Sequence, residues 1–188
     1  MKPKLGFAMS GSFCTFRSVL QEMRKLSEVY DITPILSAAS YQTDTRFGTA
    51  EDFRTQIEEI CGTKILTTLD EVEPLGPKKL LDILLIAPCT GNTIGKLANG
   101  IADSAVTFAV KAHLRNGRPV VLAVSTNDGL SASAENIGKL LNRKHYYFVP
   151  FRQDAPLAKP YSLVADFELI PETIAFAMLK QQLQPIMR

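Results

Sequence analysis

The chain has no tryptophan, only two histidines and only three cysteines among its 188 residues, and each shortage closes off a kind of chemistry. Cys14, Cys61 and Cys89 make an odd count, with no Cys-x-x-Cys spacing and no histidine paired with them, which supports neither a disulfide framework nor a zinc site. No metal is expected, and free thiols suit a reducing cytoplasm. Of the histidines, His113 falls late in a helical pattern, where a surface position complementing the helix dipole is expected. His145 lies in a basic turn after Asn142-Arg143-Lys144. Charge of one sign is lacking as well: 21 Lys and Arg face 19 Asp and Glu. The basic residues are scattered rather than striped, so no nucleic-acid partner is expected. Long apolar runs are missing too. Leu5 to Met9, after Met1-Lys2-Pro3-Lys4, imitates a signal peptide, but it is too short and passes straight into Ser10-Gly11-Ser12. Neither a membrane segment nor an internal repeat is visible. A hydrophobic share of 46% excludes disorder, and the length suits a single domain over residues 1–188 with a sizeable core.

What the chain does have is an alternation of short apolar runs with helical patterns, the mark of a parallel sheet covered by helices on both faces. Strands are expected at about 4–9, 32–37, 64–66, 81–87, 119–124 and 146–149. Phe16, Val19, Leu20, Met23 and Leu26 form a helical stripe within Phe16 to Glu28. Further helices are expected from Glu51 to Cys61, from Ala102 to Arg115 with Gly117 closing it, and from Pro171 to about Leu183. The expected architecture is a three-layer α/β/α fold around a mostly parallel six-stranded sheet, Rossmann-like or flavodoxin-like. Right-handed crossovers place the first and fourth strands side by side where the winding reverses, so the loops after them should form one crevice.

The segment from Leu84 to Asp103 carries the most information. Leu84 to Ala87 shows no alternation and reads as a strand buried on both faces, with Pro88 ending its ladder. A turn of small polar residues follows, then a helix. Gly91, Gly95 and Lys96 imitate a phosphate-binding P-loop, but three residues rather than four separate the glycines and Leu97 stands where a Ser or Thr is required. Thr90 or Asn92 can cap the helix. Capping alone leaves the density of small polar groups unexplained, and such groups let a planar or phosphorylated ligand approach the backbone. The loop after the first strand, Met9 to Thr15, suits a phosphate at a helix N-terminus or is an ordinary glycine turn; it lacks Gly-x-Gly-x-x-Gly. Asn127-Asp128-Gly129 serves equally well as a turn and as part of a site.

Pro88, Asn92 through Lys96 and Gly100 through Asp103 resemble the signature of the flavin-dependent cysteine decarboxylase superfamily, Pro-Ala-Ser-Ala-Asn-Thr-Ile-Gly-Lys followed by Gly-Ile-Ala-Asp. Cys89, Thr90 and Gly91 stand in place of its Ala, Ser and Ala. Ser10-Gly11-Ser12-Phe13 resembles that superfamily's first flavin loop, Ser37 falls where it carries a hydroxyl that touches flavin, and Asn127 is what remains of its Pro-x-Met-Asn segment. The resemblance implies flavin mononucleotide (FMN) as cofactor. It implies Ser10, Gly11, Ser12, Ser37, Pro88, Cys89, Thr90, Asn92 and Thr93 as the residues that bind it, and Asn92 and Asn127 as catalytic. It also implies trimers, or multiples of trimers, that close the flavin site between neighbouring copies.

One departure bears on the chemistry. Those decarboxylases use a histidine ahead of the Pro-Ala-Ser-Ala-Asn-Thr segment, and Thr67 to Lys79 contains none. The segments Ser125 to Leu130, Asn136 to Gly138, Val149 to Pro156 and Lys159 to Ala165 instead resemble a flavoprotein-subunit family within the superfamily. That resemblance implies oxidation of a dihydropyridine-type precursor to pyridine-2,6-dicarboxylate in the mother cell of spore-forming bacteria, beside a second subunit carrying a nicotinamide dinucleotide, NAD(P). The alternatives are another FMN-dependent enzyme of the superfamily, such as a cysteine decarboxylase or flavin prenyltransferase, and a non-catalytic partner of the dehydrogenase subunit. A dicarboxylate needs cationic or amide donors, for which Arg46, Arg152 and Lys159 are candidates unless they are solvated surface charge.

Overall fold

The apolar runs near residues 4–9 and 81–87 form the centre of the sheet in a computed structural model that describes residues 2–188. Strand β1 is Lys4–Met9, and helix α1, Phe16–Ser27, follows a single 3-10 turn. Next come β2, Asp31–Leu36, the short helix α2, Ala38–Gln42, and α3, Ala50–Cys61. A one-turn helix α4, Leu69–Val72, precedes β3, Ile83–Cys89. Beyond it lie α5, Gly91–Ala98, α6, Ala105–Leu114, β4, Val120–Thr126, α7, Ala134–Leu141, and β5, Tyr146–Phe148. A hairpin of β6, Phe151–Gln153, and β7, Leu163–Ala165, leads to α8, Ile170–Met178. The strands run β2-β1-β3-β4-β7-β6, and β5 also pairs with β4. The pairs among β1 to β5 are parallel, while β7 is antiparallel to both β4 and β6.

Strand β3 is buried along its whole length, as its unbroken Ile-Leu-Leu-Ile run requires of a strand with helices on both faces. The stripe Phe16, Val19, Leu20, Met23 and Leu26 is at most 1% exposed and seats α1 on the sheet, each side chain stabilising the fold by roughly 1.5–3 kcal/mol. Helix α1 packs with α3 and α8, and α5 with α6 and α7, so the sheet lies between two helical layers. Ser104 begins α6 as a capping box with Thr107, whose amide donates to the Ser104 hydroxyl.

The architecture is the expected α/β/α sandwich, with differences at its edges. Residues 64–66 form no strand: Leu66 makes an isolated bridge to Ile35, its amide donating to the Pro34 carbonyl and its own carbonyl accepting from Leu36. Pro88 does not end β3. The strand runs on to Cys89, with a shift in its register against β4 between Ile86 and Cys89. The β6–β7 hairpin adds strands that three-residue segments without clear alternation do not announce, bringing the sheet to seven. Helix α8 stops at Met178, short of Leu183, where the chain turns through Lys180 at φ 60°. Beyond the turn, Gln182 lies along the outer edge of β5: its Oε1 accepts from the Phe148 amide at 2.8 Å and its Nε2 donates to the Phe148 carbonyl at 2.7 Å. No described helix is long and apolar enough to cross a membrane.

His113 is not at the surface. It is 1% exposed at the end of α6, and its Nε2–H donates to the Pro119 carbonyl at 3.1 Å. Burial, with a smaller push from Arg118, lowers its pKa from 6.5 to about 4 against the opposing hydrogen bond to Pro119. Between those values the unfolded chain binds a proton that the folded chain refuses, so the stability from this residue is complete above pH 6.5 and is lost as pH falls towards 4. Urea unfolding should show about 3 kcal/mol of such loss. His113→Gln should flatten that part of the profile; an unchanged slope would mean that the imidazole charges in the folded state.

Candidate functional site

Strands β1 and β3 pair in parallel from Leu5 with Ile83 to Ala8 with Ile86, which brings the loops after them together at one end of the sheet. Ser10 joins the loops. Its amide donates to the Pro88 carbonyl at 3.1 Å, its hydroxyl donates to the same carbonyl at 2.9 Å, and the Thr90 amide donates to that hydroxyl at 3.0 Å. A third loop joins through the hydroxyls of Ser12 and Ser125, 2.8 Å apart at the end of β4. Together with the β6–β7 hairpin these loops enclose a crevice of about 670 Å³. Gly11, Ser12, Thr90, Asn92 and Asn127 supply polar lining, and Phe13, Phe47, Leu163 and Val164 supply apolar wall.

Helix ends supply the electrostatics. Thr90 begins α5 and its hydroxyl accepts from the Thr93 amide, so the capping reading and the loop reading of this segment are both realised. The 3-10 turn Phe13–Thr15 that opens α1 has no side-chain cap and no acidic residue, and Phe13 and Cys14 line the crevice. A turn with no side-chain cap at the positive end of a 12-residue helix suits an anion. Acidic groups line the same crevice: Asp128 accepts from the Thr126 hydroxyl, and Asp154 pairs with Lys159 at 2.7 Å. That pairing raises the Lys159 pKa and keeps its charge in place. The crevice therefore holds two carboxylates against one ammonium.

Of the residues singled out in the sequence, Gly11, Ser12, Thr90, Asn92, Asn127 and Lys159 come together here. Ser10 and Thr93 are buried behind the lining, where they hold its shape. The others are placed elsewhere. Cys89 is 0% exposed in the core, and burial pushes its thiol pKa up, so only its backbone is near the turn. Pro88 is buried and contributes its carbonyl to Ser10. Ser37 caps α2, its hydroxyl accepting from the Ser40 amide at 3.2 Å, and lies outside the lining. Arg46 stacks on the Phe47 ring at 4.9 Å and also lies outside it. Arg152 is not among the lining residues either, and Asp166 engages it together with Arg188. Asp154, Thr126 and Phe47 are lining residues that the sequence reading does not single out, while Phe13 and Asp128 lie in segments it does single out without a role of their own. The Asn-Asp-Gly turn is a signal for Asp128, whereas Asp154 can be placed only once the hairpin is known.

The crevice lies at the switch point of a doubly wound sheet, where folds of this kind bind their ligands. Residues 1–168 match the model of the family described as Flavoprotein, and the chain belongs to that family. It is 43% identical over 185 residues to a subunit of dipicolinate synthase from Bacillus subtilis, an alignment covering 98% of this chain and 92% of that one. The crystal structure of the same dipicolinate synthase subunit from Bacillus halodurans superposes with a TM-score of 0.91 at 43% identity, covering 100% of this chain and 98% of that one. The FMN-dependent cysteine decarboxylase SpaF shares the fold, with a TM-score of 0.68 at 22% identity over 95% of this chain and 96% of that one.

The residues present fit a flavin mononucleotide. Uncapped amides at the start of α1 suit its phosphate, and the amides and hydroxyls of Asn92, Asn127 and Thr90, beside an apolar wall, suit a flat heteroaromatic ring with polar edges. Cys14 offers a direct check on access, since it is exposed in the crevice while Cys61 is partly buried, with its pKa pushed up to about 12, and Cys89 is fully buried. One of the three thiols should therefore react quickly with Ellman's reagent in the native protein, and added FMN should slow it severalfold. A fast thiol indifferent to FMN would place the cofactor elsewhere.

Proposed function

We propose that this chain is the flavin-binding subunit of a dipicolinate synthase and takes part in oxidising a dihydropyridine-2,6-dicarboxylate to pyridine-2,6-dicarboxylate in the cytoplasm of a spore-forming cell. The observation that carries this reading is the 43% identity to the Bacillus subtilis dipicolinate synthase subunit over nearly the whole of both chains. The absence of histidine from the crevice lining argues against the decarboxylase alternative: His113 is buried under Pro119, and His145 is not among the lining residues.

In this reading FMN, when bound, supplies a two-electron acceptor. Gly11, Ser12 and the turn at Phe13 and Cys14 ahead of α1 would hold its phosphate. Asn92 and Asn127 would present neutral amides to the ring edge and to a substrate carboxylate, orienting both without adding a full charge. Phe13 and Phe47 would exclude water from one side of the crevice.

Charge makes a single chain insufficient. A dicarboxylate brought beside Asp128 and Asp154 meets one cation, Lys159, which is already paired. The cations that complete recognition come from a neighbour, either another copy in a trimeric or larger assembly or the other, dehydrogenase-type subunit of dipicolinate synthase with its NAD(P).

Reconstitution tests the reading. The purified chain, with or without added FMN, should show a flavin spectrum and, mixed with its dehydrogenase partner, should form pyridine-2,6-dicarboxylate. Asn92→Ala should weaken FMN or substrate binding by about 10- to 150-fold, the equivalent of one hydrogen bond to a charged ligand. Asn127→Asp keeps size and turn preference but sets a negative charge against the substrate, and should raise KM. A chain that stays colourless with excess FMN while the complex works at full rate would assign it the role of a non-catalytic partner.

A further inference from the structure

A dihydropyridine becomes aromatic by losing two hydrogens. One leaves a ring carbon with its bonding pair as a hydride, to a two-electron acceptor of the flavin or nicotinamide class. The other leaves as a proton, and its bonding pair becomes the new ring double bond. Some group must take that proton, and no histidine lines the crevice.

Four titratable side chains do line it: Cys14, Asp128, Asp154 and Lys159. Lys159 is a cation and cannot accept a proton. Asp154 is neutralised by Lys159 at 2.7 Å, and both belong to the hairpin. Cys14 is exposed on the first loop, its thiol 3.8 Å from the Ser12 hydroxyl. Asp128 differs from all three. It follows Asn127, its carboxylate accepts from the Thr126 hydroxyl, and among the described residues it is in none of the ion pairs.

The α5 side of the crevice makes room for this carboxylate. A Cβ at position 91 would lie 2.6 Å from Asp128 Oδ1, from Thr126 Oγ1 and from Ser133 Oγ, too close for any side chain without moving them. The signature that this segment resembles has alanine there. In this chain the missing methyl is the space that the Thr126–Asp128 pair occupies, beside the first turn of α5. An acidic group in that space weakens dicarboxylate binding, so its presence calls for a use other than binding.

We propose that Asp128 is the general base of the aromatisation, taking the ring proton, with Thr126 as the residue that positions its carboxylate. The proposal rests on the dipicolinate synthase reading, and the two fail differently. The experiment uses the two-subunit complex, with kcat followed across pH and pyridine-2,6-dicarboxylate binding to the flavin subunit measured by calorimetry. Asp128→Asn should lower kcat by about 10²- to 10⁴-fold, the range for loss of a general base. It should bind pyridine-2,6-dicarboxylate at least as tightly as the parent and lose the fall in rate that the parent shows at acid pH. Asp128→Glu should recover part of the rate. A kcat within threefold of the parent, or a loss of binding that matches the loss of rate, overturns the assignment. If thermal unfolding shows that Asp128→Asn is not folded, Thr126→Val decides: a tenfold or greater drop in kcat with unchanged binding supports the proposal, and an unchanged kcat overturns it. A parent complex that makes no pyridine-2,6-dicarboxylate overturns the functional reading itself.

Discussion

The buried hydroxyl of Ser10, held between the carbonyl of Pro88 and the amide of Thr90, fixes the ends of β1 and β3 against each other, and the crevice takes its shape from that contact. A buried hydroxyl contributes when it is both donor and acceptor and costs stability when it is neither. Ser10 is both. With these two strand ends set, Thr90 starts α5 at a defined point, Gly91 meets the loop after β4, and Ser12 reaches Ser125. The polar lining is thus spread over three loops but determined by one junction, in which every group is small enough to leave the space above it open.

Most of the fold is legible in the sequence because its central elements are extreme in composition. An unbroken aliphatic run such as Ile83 to Ala87 has few stable places other than a covered parallel strand, and the α1 stripe has a single period. The crevice is legible to the extent that it is made of strand ends. What escapes are features decided by long-range contact. Residues 64–66 look like a strand and receive only a bridge, because β2 accepts one short partner at its edge. Arg152 looks like an anion ligand and is taken by Asp166 across the hairpin, a partner no local pattern reveals. Cys89 lies within a matching motif, yet strand alternation turns its thiol into the core. His113 belongs at the surface by helix position alone, whereas the Pro119 carbonyl offers it a partner inside.

The crevice combines two kinds of charge. The uncapped turn ahead of α1 offers partial positive charge, an arrangement suited to holding a phosphate. Two carboxylates and the neutral amides of Asn92 and Asn127 line the same space, an arrangement poor at holding further anions. A phosphate and a dicarboxylate would thus meet unequal hospitality, the first favoured by backbone amides and the second opposed by like charge.

Gln182 has a consequence for how copies of this chain can meet. A sheet normally ends in a row of free amides and carbonyls that can capture a strand from another molecule. Here one side chain amide satisfies both backbone groups of Phe148, so a newcomer to β5 meets a position already taken. On the far side the Leu66 bridge engages Pro34 and Leu36, and Pro34 itself has no amide to give. Growth by continuous β-structure is therefore hindered at these two strands. Neighbours are directed towards helical faces and loop rims, where contacts are made by side chains and can be specific to one partner.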